Sequence, residues 1–290
     1  MIIEKIVPTN SDIYNKWKTF FSFIGEKMDK EGWMQLFAIW TLTVCGIVLS
    51  MDIQDRYVYW NWDGWLMGFT KLFIVSLIFF IYLRPNRLWM IGPNRMMIKD
   101  IVTHCVIGFA FLLFGWFEFG FISEQVLQAP ESFFIDSYLI YSFISILPYV
   151  FAFTSCLLVF QFVLELDKEK GTWNNFHWNN KIEYFSISVL MMLIALLLGI
   201  KLKDPIVSTA GAVAVPFSAI ALIWPNHVRH LQRARFYPLF TFAMFLCVRA
   251  PWFILPLSIL FFVVRVINYF RYGIVHPSFG VDFLEDSEHV

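Results

Sequence analysis

Residues 33 to 51, 184 to 200 and 205 to 224 contain no lysine, arginine, aspartate or glutamate, and uncharged runs of that length constrain the fold more than any other feature. About 18 or more apolar residues in a row are what a helix needs to cross a hydrocarbon layer ~30 Å thick. Similar runs occupy 65 to 83, 100 to 122 and 137 to 164, and a further apolar region continues from 236 to 270. As one helix that last region would measure about 52 Å at 1.5 Å per residue, too long for a single crossing. Arg249, Pro251 and Pro256 in "VRAPWFILP" divide it into two shorter spans or a re-entrant hairpin, since proline lacks the helix donor and clashes with the preceding turn. The composition agrees: 59% hydrophobic, 15% charged, mean hydropathy +0.64, against about 25% charged in soluble domains. The expected fold is an all-α polytopic membrane protein with about eight transmembrane helices, seven or eight depending on the last pair. Residues 1 to 32 read as a cytoplasmic or interfacial amphipathic segment, 33 to 270 as the bundle, and 271 to 290 as a cytoplasmic tail.

The basic residues give the orientation. Lys5, Lys16, Lys18, Lys27 and Lys30 precede the first run; Arg84, Arg87, Arg95 and Lys99 separate the second and third; Lys168, Lys170 and Lys181 separate the fourth and fifth; Arg229, Arg233 and Arg235 follow the sixth. The alternate segments are poor in basic residues, with Arg56 alone in 52 to 64 and none in 123 to 136. The positive-inside rule then places the amino terminus in the cytoplasm, and a bacterial plasma membrane is the expected location. Lys201 and Lys203 are the exception, on a short outer turn. Arg271 puts the carboxyl terminus on the cytoplasmic side as well, which favours an even number of crossings.

Three triplets, Pro-Asn-Arg at 85 to 87 and 93 to 95 and Pro-Asn-His at 225 to 227, fall where a run exits on the cytoplasmic side. Proline stops the helix, asparagine accepts turn geometry and the basic residue reaches toward headgroups. Arg84, Arg87, Arg95 and Lys99 are also the candidate contacts to acidic lipids, because juxtamembrane basic clusters bind anionic headgroups.

Ionisable residues inside the runs are costly to hold in hydrocarbon and are therefore site candidates. Lys71 and Glu118 lie at similar depth on consecutive antiparallel helices, an expected ion pair; Glu165 and Arg265 form a second at the inner side. In "HVRH", His227 and His230 share a helix face, a weak metal or haem spacing that lacks further donors. Ser208, Thr209, Gly211, Pro216 and Ser218 belong to a small-residue run suited to close helix packing or to one wall of a pathway. The four cysteines lie inside hydrophobic runs without CxxC spacing and read as small buried residues.

Residues 57 to 65, "YVYWNWDGW", are the densest aromatic patch. They resemble the tryptophan-rich segments of haem-handling cytochrome c assembly proteins, a resemblance that implies outer-face histidine ligands. This topology puts all six histidines on the other side, so an aromatic belt at the outer interface is the expectation.

Zero net charge gives no field for nucleic acid, and no catalytic or nucleotide-binding motif is present. The expected function is a non-catalytic integral membrane subunit of a larger assembly. The first alternative is a transporter or channel for a small solute; the second is a membrane-embedded lipid-modifying enzyme acting at the cytoplasmic face. Expected partners are membrane lipids and other membrane subunits or further copies of the chain. No motif specifies a cofactor, which stays unknown at this stage.

Overall fold

The computed structural model describes residues 2 to 51, 57 to 83, 97 to 117, 131 to 160, 165 to 167, 172 to 174, 181 to 225 and 227 to 273. These form ten α-helices: α1 (Ile2–Ile6), α2 (Asp12–Glu31), α3 (Trp33–Ser50), α4 (Trp65–Ile78, continued by a π-turn over Phe79–Leu83), α5 (Ile98–Trp116), α6 (Glu131–Phe160), α7 (Lys181–Lys201), α8 (Pro205–Ile223), α9 (Val228–Arg249) and α10 (Ile254–Tyr272). A 3-10 turn, Pro251–Phe253, separates the last two. Two three-residue strands, β1 (Glu165–Asp167) and β2 (Thr172–Asn174), pair antiparallel with Leu166 opposite Trp173.

The described chain is thus helical, as expected, but its described residues do not supply the expected seven or eight helices fit to cross a membrane. Five of the described helices are long and apolar enough, and six if α2 and α3, bent by 54° at their junction, count as one broken span. Two further apolar stretches, Ile144–Val159 and Phe236–Arg249, are shorter. Pro148 lies inside α6, and α9 opens with Arg229, His230, Arg233 and Arg235 before its apolar part begins. The break expected in 236 to 270 is present, and the connection is a tight turn in which Pro251, Trp252 and Phe253 are all buried. One span end also moved: α5 stops at Trp116, where Phe117 turns extended, instead of at 122; the expected end of the fourth run, 161 to 164, lies outside the described residues.

Ring and glycine contacts set the packing order. Trp33 packs on Phe80 and the Trp40 indole donates to Ser76 Oγ at 2.9 Å, so α3 and α4 run antiparallel. Leu42 approaches Gly108, and Gly46 lies against Leu112 and Trp116, so α3 and α5 run parallel with backbones nearly touching. Gly199 faces Val207 and Gly211 faces Leu196, which makes α7 and α8 an antiparallel pair. Phe217 stacks on Tyr237 at 5.0 Å, and Phe261 of α10 meets Phe37, Phe236 and Phe240. The main core is one contiguous apolar cluster to which every helix from α2 to α10 contributes, with two smaller clusters beside it.

This order gives the bundle two distinct ends. One carries residues 57 to 65, the α7–α8 turn and the α9–α10 turn, and is called here the aromatic end. The other carries Lys99, His227, Arg233 and Arg271, the basic end.

Candidate functional site

The polar groups of the aromatic end are built from helix termini. Each helix leaves its last carbonyls and first amides without intrahelical partners. Lys71, buried at 3% exposure on α4, donates from Nζ to Gly115 O at 2.5 Å and Phe117 O at 2.8 Å. Its ammonium therefore caps the carboxyl end of α5, where the helix dipole favours a cation. Glu118, the partner expected for Lys71, lies outside the described residues.

Asp204 does the converse at the start of α8. Its Oδ1 accepts from Ile206 N at 2.9 Å and Val207 N at 3.3 Å, Pro205 occupies the first helical position, and Tyr149 of α6 donates to Oδ2 at 2.9 Å. A carboxylate at a helix amino end meets unpaired amides and the positive dipole end together, which explains a 2% exposed aspartate. The sequence reading passed over Asp204, although an aspartate directly before proline at the head of an apolar run is a legible capping signal.

The aromatic segment crosses these termini. Tyr57 OH donates to Lys203 O at 3.0 Å, and Trp60 N donates to Val248 O at 2.9 Å. Tyr57, Tyr59, Trp60, Trp62 and Trp65 are exposed, the distribution expected of a headgroup-level belt. Beneath it Trp252 sits on Gly68, where any Cβ would collide with its ring, and packs edge-on to Phe69 at 5.4 Å. Arg249, which the sequence reading treated only as a break, is 6% exposed at the last turn of α9, and its Nε has no hydrogen-bond partner among the described residues.

The basic end holds the histidines. His227 and His230 rings lie 4.3 Å apart, and His230 also meets Trp224 at 5.7 Å. Partial burial, then the neighbouring charges of His227 and Arg233, lower the His230 pKa from its ordinary value. Among the described residues no three His, Cys, Asp or Glu side chains are grouped closely enough to hold a metal ion. Arg265 is half-buried on α10, and Glu165 lies on β1 with its side chain outside the described set. Of the lipid-contact candidates, Arg84, Arg87 and Arg95 fall outside the described residues; Lys99 is exposed in the first turn of α5.

The small-residue helix α8 divides by face. Val207, Ala210, Gly211, Ala214, Ser218 and Ala221 are buried against its neighbours α7 and α9, while Thr209 and Pro216 face outward. Ser208 Oγ turns back to Asp204 O at 2.6 Å. Ser155 of α6 and Ser188 of α7 exchange hydroxyl-to-carbonyl bonds at 2.7 and 3.0 Å. All four cysteines are free, three of them buried and Cys105 half-buried.

No known protein family, curated protein or solved structure matches the chain.

Proposed function

We propose that the chain is a non-catalytic integral membrane subunit of a larger membrane assembly. It sits in a bacterial plasma membrane with its amino terminus cytoplasmic and crosses it eight times, the short apolar stretches of α6 and α9 included. One observation carries the reading: the interior polar groups are committed to holding helices together. Lys71, Asp204, Tyr149, Ser155 and Ser188 all bond to helix termini or to a neighbouring helix. Among the described residues only His104 Nε2, Ser218 Oγ and Arg249 Nε are buried side-chain atoms without a partner. Such an interior rigidifies a bundle and offers few groups that could bind and release a solute. The exterior is apolar, with Ile187, Leu190, Leu193 and Leu197 exposed along α7, a face for lipid or a partner helix.

The same reading makes α2 an interfacial helix. Tyr14, Phe21, Gly25 and Asp29, spread along most of α2, all contact the stretch Ile267 to Arg271 of α10. A helix whose length meets little more than one turn of its neighbour crosses it steeply, so α2 lies near the membrane plane when α10 spans. Ile13, Trp17, Phe20 and Phe23 are left exposed beside Lys16 and Lys27, the pattern of a helix bedded at headgroup level.

The test is the native mass of the protein extracted from its own membrane in mild detergent, with an absorption spectrum of the same particle. A large complex supports the subunit reading. A colourless particle of one or two chains overturns it in favour of a transporter, the reading favoured by the break at Ala250 beside the buried Arg249, because interrupted helices border many transport sites.

A further inference from the structure

We propose that Arg249 is the cationic half of a phosphate-binding site at the aromatic end, taking the phosphate of a lipid headgroup or a free phosphate ion. This inference is independent of whether the chain is a subunit or a transporter.

The guanidinium cannot shed its charge, so a 6% exposed arginine must be paired or pay a desolvation penalty of several kcal/mol. Among the described residues Arg249 makes no hydrogen bond or ion pair, and its Nε is fully enclosed without a partner. The other ionisable groups buried at this end behave differently: Lys71 holds two carbonyls and Asp204 two amides and a tyrosine hydroxyl. The α9 carboxyl end supplies at most about half an elementary charge, and its closing bond, Ala250 N to Leu246 O, engages backbone alone. An anion from outside the chain completes the balance.

Two further observations locate it. Trp60, whose N–H holds Val248 O next to Arg249, has φ +60°, a left-handed conformation that a bulky side chain adopts only when its surroundings hold it there. Strain of this kind gathers at ligand clamps. Pro251, Trp252 and Phe253 are buried immediately after Arg249, and apolar surroundings strengthen a charge pair while they penalise a lone charge.

Phosphate is the oxyanion the site suits. Tyr57, Tyr59, Trp60, Trp62 and Trp65 are exposed at this end, which sets it at headgroup level, where phosphodiesters are concentrated. The planar guanidinium fork matches two phosphate oxygens at once.

The experiment uses the full chain purified in mild detergent and then stripped of lipid. Thermal midpoints are recorded against inorganic phosphate, against chloride at matched ionic strength, and against dihexanoyl phosphatidylglycerol with a neutral detergent of equal chain length as control. Wild type, Arg249→Lys, Arg249→Met and Lys203→Met are compared, and lipid phosphorus per chain is measured before stripping. Near-saturating ligand should raise the wild-type midpoint by roughly 5–10 °C, Lys203→Met should respond alike, and Arg249→Met should not respond and should carry less lipid phosphorus. A response to phosphatidylglycerol alone assigns the site to a lipid; a response to phosphate as well admits the free ion. If Arg249→Met fails to fold, Arg249→Lys decides, since it keeps the charge without the fork and should need about tenfold more ligand. A wild type indifferent to both ligands, or an Arg249→Met protein that responds as the wild type does, overturns the proposal and leaves an internal carboxylate as the partner of Arg249.

Discussion

Lys71 replaces what would otherwise be two bare carbonyls at the end of α5, so its removal costs more than a surface lysine would. Lys71→Met should lower stability by roughly 1–3 kcal/mol, the usual cost of a buried acceptor left unpaired, and hydrogen exchange should show residues 112 to 117 opening first. A double-mutant cycle with Glu118→Gln tests the expected ion pair as well: coupling between the two changes reports a pair beyond the two carbonyl bonds, and additive effects report none. The sequence showed that a lysine in an apolar run needs a partner; the carboxylate it pointed to, Glu118, lies outside the described residues, and two helix-end carbonyls accept from the ammonium. Helix-end carbonyls are invisible in composition, since every residue has one, and only the packing of α4 on α5 decides which are within reach. His230 makes the opposite kind of residue. Its pKa is lowered in the folded chain by burial, then by His227 and Arg233, so below pH 6.5 the unfolded chain binds the proton more readily and the folded state loses stability. His230→Gln should flatten that acid limb in a thermal melt from pH 7 to 5; an unchanged slope would locate the titration elsewhere.

At the scale of elements, helix contacts depend on how closely the neighbouring helix approaches each glycine. A Cβ on Gly115 would fall on the Thr43 carbonyl, and one on Gly46 on the Leu112 carbonyl; neither backbone can move without parting α3 from α5. Gly211, by contrast, would place its Cβ 3.3 Å from Leu196 Cβ and 3.4 Å from Leu196 Cα, a contact that α7 relieves by giving a few tenths of an ångström. Gly115→Ala should therefore destabilise by about 1–3 kcal/mol or more, as overpacking does, whereas Gly211→Ala should be close to neutral, the gain in helix propensity of up to ~1 kcal/mol offsetting the crowding. Midpoints of the two variants in the same detergent test the contrast. The places of the helices were legible because charge-free runs and prolines announce themselves. Pro225 follows the end of α8 at Ile223, as the triplet predicted, whereas a helix starting directly after His227 was not predicted by it; Arg249 with Pro251 marks the break between α9 and α10. Pairing was not legible: that α3 and α5 lie parallel follows from two glycines meeting across space, and a glycine in an apolar run has many uses.

For the whole molecule, the contacts fix which segments share an end before any membrane is considered. Tyr57 is bonded to Lys203 and Trp60 to Val248, so the aromatic segment, the α7–α8 turn and the close of α9 lie together. Trp33 against Phe80 and Phe37 against Phe236 put the start of α3, the end of α4 and the start of α9 at the other end. In the proposed orientation these ends lie at opposite faces of the membrane, with the lysine-rich one in the cytoplasm. Single cysteines at Asp63, Lys203, Lys27 and Arg233, all exposed positions, test both statements with an impermeant maleimide. Buried Cys45, Cys156 and Cys247 should stay silent, and Cys105 serves as the half-buried control. In intact cells Asp63→Cys and Lys203→Cys should react, and Lys27→Cys and Arg233→Cys only after permeabilisation. The reverse pattern would keep the up-and-down packing and overturn the cytoplasmic amino terminus. Labelling of Lys203→Cys together with Arg233→Cys from one side would contradict the pairing of α8 as a full crossing, because the two positions bracket that helix and an odd number of traverses must separate them.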